Sequence, residues 1–180
     1  MTKLYRDCRE SCTLSLCDTD RACIAARLVD LGVQYEHVTL PAVSFDGEAG
    51  HDEIIGSYIE PLDHLLSRIP RVALDVTRIL PSHPRRAKLE RELMTEHAHD
   101  VAEAQVLIHG GGVLYLRADD DTVLALECEA GDYVRVPPER VHWFEMDAQQ
   151  GFCTIRLFED ATEPRVSHRG VDMRGRYELS

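Results

Sequence analysis

The sequence predicts a mainly β fold, a double-sheet jelly-roll barrel of short strands with additional N-terminal helices packed on its outside. Three observations predict it. From residue 96 onward, apolar runs of strand length alternate with turn residues at regular spacing. Upstream, two apolar stripes recur at helical spacing instead. The 180 residues, 44% of them apolar, suffice to bury one core. A single domain over 1–180 is expected: a helical and strand part at 1–95, the barrel core at 96–160 and a flexible tail at 161–180.

In chain order, residues 4–17 read as an early strand. Asp18 or Thr19 is positioned to cap a helix. Ala22, Ile24, Ala25, Leu28 and Leu31 form that helix's apolar face, and Gly32 fits its stop. VQYEHVTL alternates as a strand. Gly47 and Gly50 mark a loop, and Ile54, Ile55, Tyr58, Leu62, Leu65 and Leu66 form a second helical stripe. Pro61 lacks an amide donor and is expected to kink or divide that helix. RVALDVTRIL reads as a strand, Pro81 and Pro84 punctuate the next connection, and Arg85 to Met94 reads as a short charged helix. AQVLIHG is a strand that the turn signal Gly110-Gly111-Gly112 should end. VLYLRA and TVLALECEAGD flank Asp119-Asp120-Asp121 as a hairpin, and FCTIRLFED is the last core strand.

Composition excludes some partners. The net charge of −12 and the pI of about 5.1 give a surface that repels phosphate backbones, so nucleic acid is not expected. No apolar run reaches membrane-spanning length, and the start lacks the apolar stretch of a signal peptide. A cytoplasmic monomer or homodimer is expected. Cys8, Cys12, Cys17, Cys23, Cys128 and Cys153 are then reduced thiols. The first four are spaced more widely than zinc pairs and read as small buried residues; Cys128 and Cys153 read as core.

The chemistry concentrates in Glu96-His97-Ala98-His99-Asp100-Val101-Ala102-Glu103, answered by His142. On a strand, His97 and His99 point to one face. Glu103 can swing to that face if the chain bends or returns as a second strand. Three nitrogens and one carboxylate oxygen suit Fe(II), Ni(II), Mn(II) or Zn(II), with two octahedral positions left for a bidentate substrate or dioxygen.

The spacing is more specific than the residue types: His97-x-His99-x3-Glu103-x6-Gly110, then Gly131-x5-Pro137-x4-His142. It resembles the two metal motifs of the cupin superfamily. Within that superfamily, EHAHDVAEAQ, LECEAGDYVRVPPERVHWFEM and FCTIRLFED are similar to acireductone dioxygenases, as are DVTRIL and RRAKLERELM more weakly. The resemblance covers about half the chain. It implies a cupin barrel in which His97, His99, Glu103 and His142 hold Fe(II) or Ni(II), and a dioxygenase that cleaves a small metal-chelating metabolite with O2.

Two departures bear on substrate. The family carries arginine where this chain has Gln105, exchanging a positive fork for a neutral hydrogen-bonding amide. Gln105 is therefore the candidate catalytic residue that distinguishes this chain. The tail lacks the family's Gly-Trp segment and carries Arg165, Arg169, Arg174 and Arg176 instead; it reads as a solvated end or an arm over the barrel mouth. These departures favour a substrate other than the usual acireductone, with a thiol amino acid such as cysteine as a candidate. The alternatives are an authentic acireductone dioxygenase, with Arg135, Arg140, Arg156 or a tail arginine replacing the missing cation, and a non-catalytic small-ligand-binding cupin. Of the neighbours, Glu96 is either an acceptor for an imidazole N–H or exposed, and His109 reads as solvated. Tyr115 faces pocket or solvent, and Trp143 and Phe144 point to opposite sides of their strand.

Overall fold

A computed structural model describes residues 1–7, 12–41, 48–69, 72–159 and 165–180. Cys8, Gly47 and residues 161–164 of the expected tail lie outside the described residues. The early strand is a pair, β1 (Lys3–Asp7) and β2 (Thr13–Asp18), joined antiparallel. Helix α1 (Arg21–Val29) is capped by Asp20 rather than Asp18 or Thr19. The extended backbone of Asp20 (φ −83°, ψ 125°) aims its carboxylate at the Cys23 amide, 3.0 Å away. Gly32, at φ +71°, stands just past the helix as expected. Strand β3 (Gln34–His37) follows.

Helix α2 (His51–Leu66) runs undivided through Pro61. It buries Ile54, Tyr58, Leu62 and Leu65. At roughly 1.5–3 kcal/mol per large apolar side chain, that burial outweighs the cost of about 3 kcal/mol for an interior proline. Next come β4 (Val72–Ile79), α3 (Arg86–Leu93), β5 (Thr95–His99), β6 (Glu103–Arg117), β7 (Val123–Glu129), β8 (Asp132–Val136), β9 (His142–Met146), β10 (Phe152–Glu159), β11 (Val166–Asp172) and β12 (Glu178–Leu179).

The strands form the two layers of the expected roll. One layer runs β11-β5-β9-β6-β7-β1-β2-β12; the other runs β4-β10-β6-β8-β3. Strand β6 belongs to both. Its residues up to Gly110 pair with β8 and β10, and those from Gly111 pair with β7 and β9. The three glycines therefore do not end the strand. Gly110, at φ +72°, is where β6 crosses between layers, and a Cβ there would lie 2.0 Å from the Gly151 carbonyl oxygen. A Cβ on Gly112 would lie 2.4 Å from the Phe144 ring. Close approach, not a reverse turn, requires these glycines.

Leu107, Leu114, Leu116, Leu126, Val134, Val136, Phe144 and Phe152 fill the roll. Helix α2 covers the outside of the β10 layer, packing on Val106, Ile108, Ile155 and Leu157. Outside the other layer, Trp143 stacks on Tyr115 at 5.2 Å, with Tyr5, Met173 and Tyr177 in the same cluster. Phe144 and Trp143 thus occupy opposite faces of β9, and both are buried. Tyr115 faces neither the interior of the roll nor open solvent; it is buried outside the roll and donates to Glu145.

The described tail residues are drawn into the sheet instead of forming a flexible end. Strand β11 pairs antiparallel with β5, and β12 pairs parallel with β2. Backbone pairing suffices here, since the side chains of β11 are exposed. The N-terminal cysteines also differ from expectation: Cys12 and Cys23 are exposed and Cys17 is half-buried. Cys23 lies beside the apolar stripe of α1, not on it. Cys128 and Cys153 are buried as expected, and burial pushes the Cys153 thiol up to about 12. Among the described residues no helix is long and apolar enough to cross a membrane.

Candidate metal centre

The site forms where β5, β6 and β9 meet. His97 and His99 share one face of β5 because they are two residues apart. His142, first in β9, stands directly opposite His97 in the register. The ligand nitrogens of His97, His99 and His142 lie within 4.8 Å of one another. Glu103, first in β6, brings its Oε2 to 3.2 Å from His99 Nε2 and 3.3 Å from His142 Nε2. The four residues singled out in the sequence therefore converge.

The surroundings set the imidazoles for cation binding. His97 Nδ1 donates to the Thr95 carbonyl at 2.7 Å, and His142 Nδ1 to the Arg140 carbonyl at 2.9 Å. Each bond orients its ring and leaves the Nε2 lone pair for a ligand. His99 Nδ1 is buried without a hydrogen-bond partner among the described residues. Burial pushes His97 down to about 4, so its ring is neutral near neutral pH. Burial alone would raise the Glu103 carboxyl, but hydrogen bonds from His142 and His99 and their charge hold it well below the usual carboxylate range. Three imidazole nitrogens around one carboxylate, with little other hydrogen bonding, could hold a divalent first-row cation. The side chains of His99 and Glu103 remain 12% and 16% exposed, so the centre is open to small molecules.

Neighbouring residues sort by face. Glu96 is buried, but it accepts from Arg117 instead of an imidazole, because adjacent strand residues point oppositely and His97 takes the inward side. His109 is half-buried beside Cys153, not solvated. Gln105 faces into the roll two residues after Glu103, on a void of about 10 Å³ lined by Leu107, Leu114, Val134 and Phe144. That space holds about one water.

The sequence left several arginines open as a replacement cation. Arg156 is directly opposite Gln105 in the β10–β6 pairing, and directly opposed residues share a face. Its neighbours Ile155 and Leu157 face α2, which turns Arg156 inward. It pairs with Asp75 of β4 and lies 5.0 Å from the Phe158 ring centre. Arg135 opposes Ala104, which packs on the α2 side, so Arg135 is on the outer face. Arg140 is tied to Asp119, and Arg174 to Asp172. A fourth imidazole, unnoticed in the sequence, stands at the edge: His168 of β11 opposes His97, with ring centres 6.0 Å apart. The one signal for it was a histidine among the tail arginines.

Known proteins resemble the chain along most of its length. The ARD/ARD′ family model matches residues 25–165. The acireductone dioxygenase of Aquifex aeolicus is 33% identical over 155 residues, covering 86% of this chain and 84% of that protein. The acireductone dioxygenase of Pseudomonas fluorescens is 32% identical over 154 residues, with 86% and 84% covered. A solved acireductone dioxygenase from Bacillus anthracis, with a cadmium ion in its active centre, superposes with a TM-score of 0.78 at 21% identity over 92% of this chain and 98% of that one. The last likeness bears on the fold, the cupin roll.

Proposed function

The chain belongs to the ARD/ARD′ family, and from that premise we propose that it is a metal-dependent cupin dioxygenase whose cation is held by His97, His99, Glu103 and His142. The carrying observation is the convergence of three histidine ligand nitrogens within 4.8 Å, with the Glu103 carboxylate against two of them. We further propose that the cation is Fe(II) or Ni(II) and that the substrate is a small enediol of the acireductone type, bound through two oxygens. When bound, such a cation supplies Lewis acidity and a template for substrate and dioxygen.

The chain's own residues divide the remaining work. Thr95 and Arg140 carbonyls fix two rings. Glu103 offsets cationic charge. Phe144, Leu107 and Val134 line the small void that Gln105 faces. Arg156 supplies the positive fork for the substrate's enolate, acting across the strand pair from Gln105 in place of the family's arginine; its cross-strand position supports this. Gln105 adds a neutral hydrogen bond. A substrate other than the usual acireductone is the second reading, favoured by Gln105 and by the recast tail. The acireductone dioxygenases among the relatives lend a thiol such as cysteine no support. The intact four-donor set argues against a purely non-catalytic binder.

Oxygen uptake by protein reconstituted with Fe(II) or Ni(II) tests this. Turnover of acireductone is expected, and Arg156→Ala should raise KM about tenfold to a hundredfold, the worth of one charge-assisted contact. Adding Gln105→Arg to that variant should recover most of the loss. An unchanged KM in Arg156→Ala would remove Arg156 from the site. Absence of O2 uptake with acireductone and either metal would favour the second reading.

A further inference from the structure

We infer that His168 is a substrate-contacting residue at the rim of the metal centre, forming one hydrogen bond to an oxygen of the chelating ligand and so tuning which ligands bind. The inference rests on the site reading above but concerns a residue outside the four-donor set. Strand β11 is clamped at both ends despite its exposed side chains. At its start, the Arg165 amide donates to Asp100 Oδ1 at 2.9 Å and the Asp100 amide to the Arg165 carbonyl at 3.2 Å. At its end, the buried Met173 donates its amide to the Met94 carbonyl at 3.0 Å. Between these anchors His168 lies directly opposite His97.

Directly opposed residues share a sheet face, so His168 faces the side to which His97 points. Their ring centres are 6.0 Å apart and their planes inclined by 56°. The nitrogens of His168 are not part of the histidine cluster that converges within 4.8 Å, which sets it apart from the ligands. It is exposed, so its ring nitrogens are available to a molecule seated on the open side of the cation. A ring held beside a ligand histidine, on the accessible edge of the roll, can address the part of a bidentate ligand that projects beyond the metal.

The test uses Co(II)-loaded full-length protein without oxygen, titrated with the bidentate oxygen chelator acetohydroxamate and followed by visible absorption. His168→Ala should bind it about threefold to tenfold more weakly, as for one net neutral hydrogen bond, and His168→Gln should stay within about twofold of the parent. Azide, a monodentate ligand, should bind all three proteins alike, and Co(II) stoichiometry should not change. Equal acetohydroxamate affinity in all three proteins would overturn the inference. So would loss of Co(II) from His168→Ala, which would make His168 a metal-holding residue. His168-dependent acetohydroxamate binding in a protein that turns over no acireductone would support the inference while overturning the substrate reading.

Discussion

Two carboxylates, the buried Asp132 and the half-buried Glu103, flank opposite ends of β8 and are treated in opposite ways. Glu103 opposes Val136 at one end of the strand, and Asp132 is the first residue at the other, about 13 Å away at strand rise. Asp132 is 1% exposed and accepts from Thr2 Oγ1 at 2.7 Å, Tyr35 OH at 2.9 Å and the Glu129 amide at 2.9 Å, with His37 Nδ1 also at 2.9 Å. Glu103 meets two imidazole nitrogens at 3.2 and 3.3 Å, beside a His99 Nδ1 that has no partner among the described residues. A satisfied buried carboxylate ties strands together. A carboxylate held only by imidazoles that could turn to a cation is suited to binding instead. The same residue class thus serves stability at one end and chemistry at the other.

The contrast can be broken most forcefully at Glu103. Glu103→Ala should abolish stoichiometric metal by elemental analysis and lower turnover more than about a hundredfold, since outer partners of metal ligands alone are worth up to that. The metal-free variant should unfold within about 1 kcal/mol of the parent in urea. A variant that cannot fold would erase the distinction between the two carboxylates. Asp132→Ala should do the reverse. It strands several buried donors and should cost about 3 kcal/mol in urea unfolding while the folded fraction still binds metal one to one. Little loss of stability there would mean that its hydrogen bonds are ornamental.

A smaller effect follows from His97 in the metal-free protein. Burial lowers its folded pKa to about 4 from the usual 6.5 of a histidine, so the unfolded chain binds the proton first as pH falls. Stability should be fully expressed above about 6.5 and decline toward 4, by up to about 3 kcal/mol. The depressed Glu103 adds acid loss of the same sign, as pH falls below its unfolded pKa and through its folded one. Urea unfolding at stepped pH, repeated with His97→Gln, isolates the histidine share. A parent and variant with parallel profiles would show that His97 is not the group responsible.

The convergence of the four candidate ligands was legible in the sequence because they fall at a short, fixed spacing around two glycines and a proline. His97 and His99 needed only strand alternation. Other parts depend on long-range pairing that local pattern does not carry. Gly110-Gly111-Gly112 resembles a turn in isolation; only the approach of Gly151 and Phe144 makes it a crossing point. Arg156 could not be separated from the other arginines until the β10–β6 register set it across from Gln105. The exposed side chains of β11 offered no apolar signature, since its backbone, not burial, joins it to β5. Asp20, by contrast, was a near miss, one residue past Thr19 and two past Asp18, and chosen by backbone direction.

Strand β6 has a mechanical consequence. One unbroken segment is shared by both layers, so they cannot swing apart about a seam without wrenching the same fifteen residues. The cup proposed to hold the cation is consequently braced like a frame with a common post. Because Glu103 and Gln105 are rooted in that post, a ligand meets an already shaped socket, and selectivity must come from what fits it rather than from how far it yields.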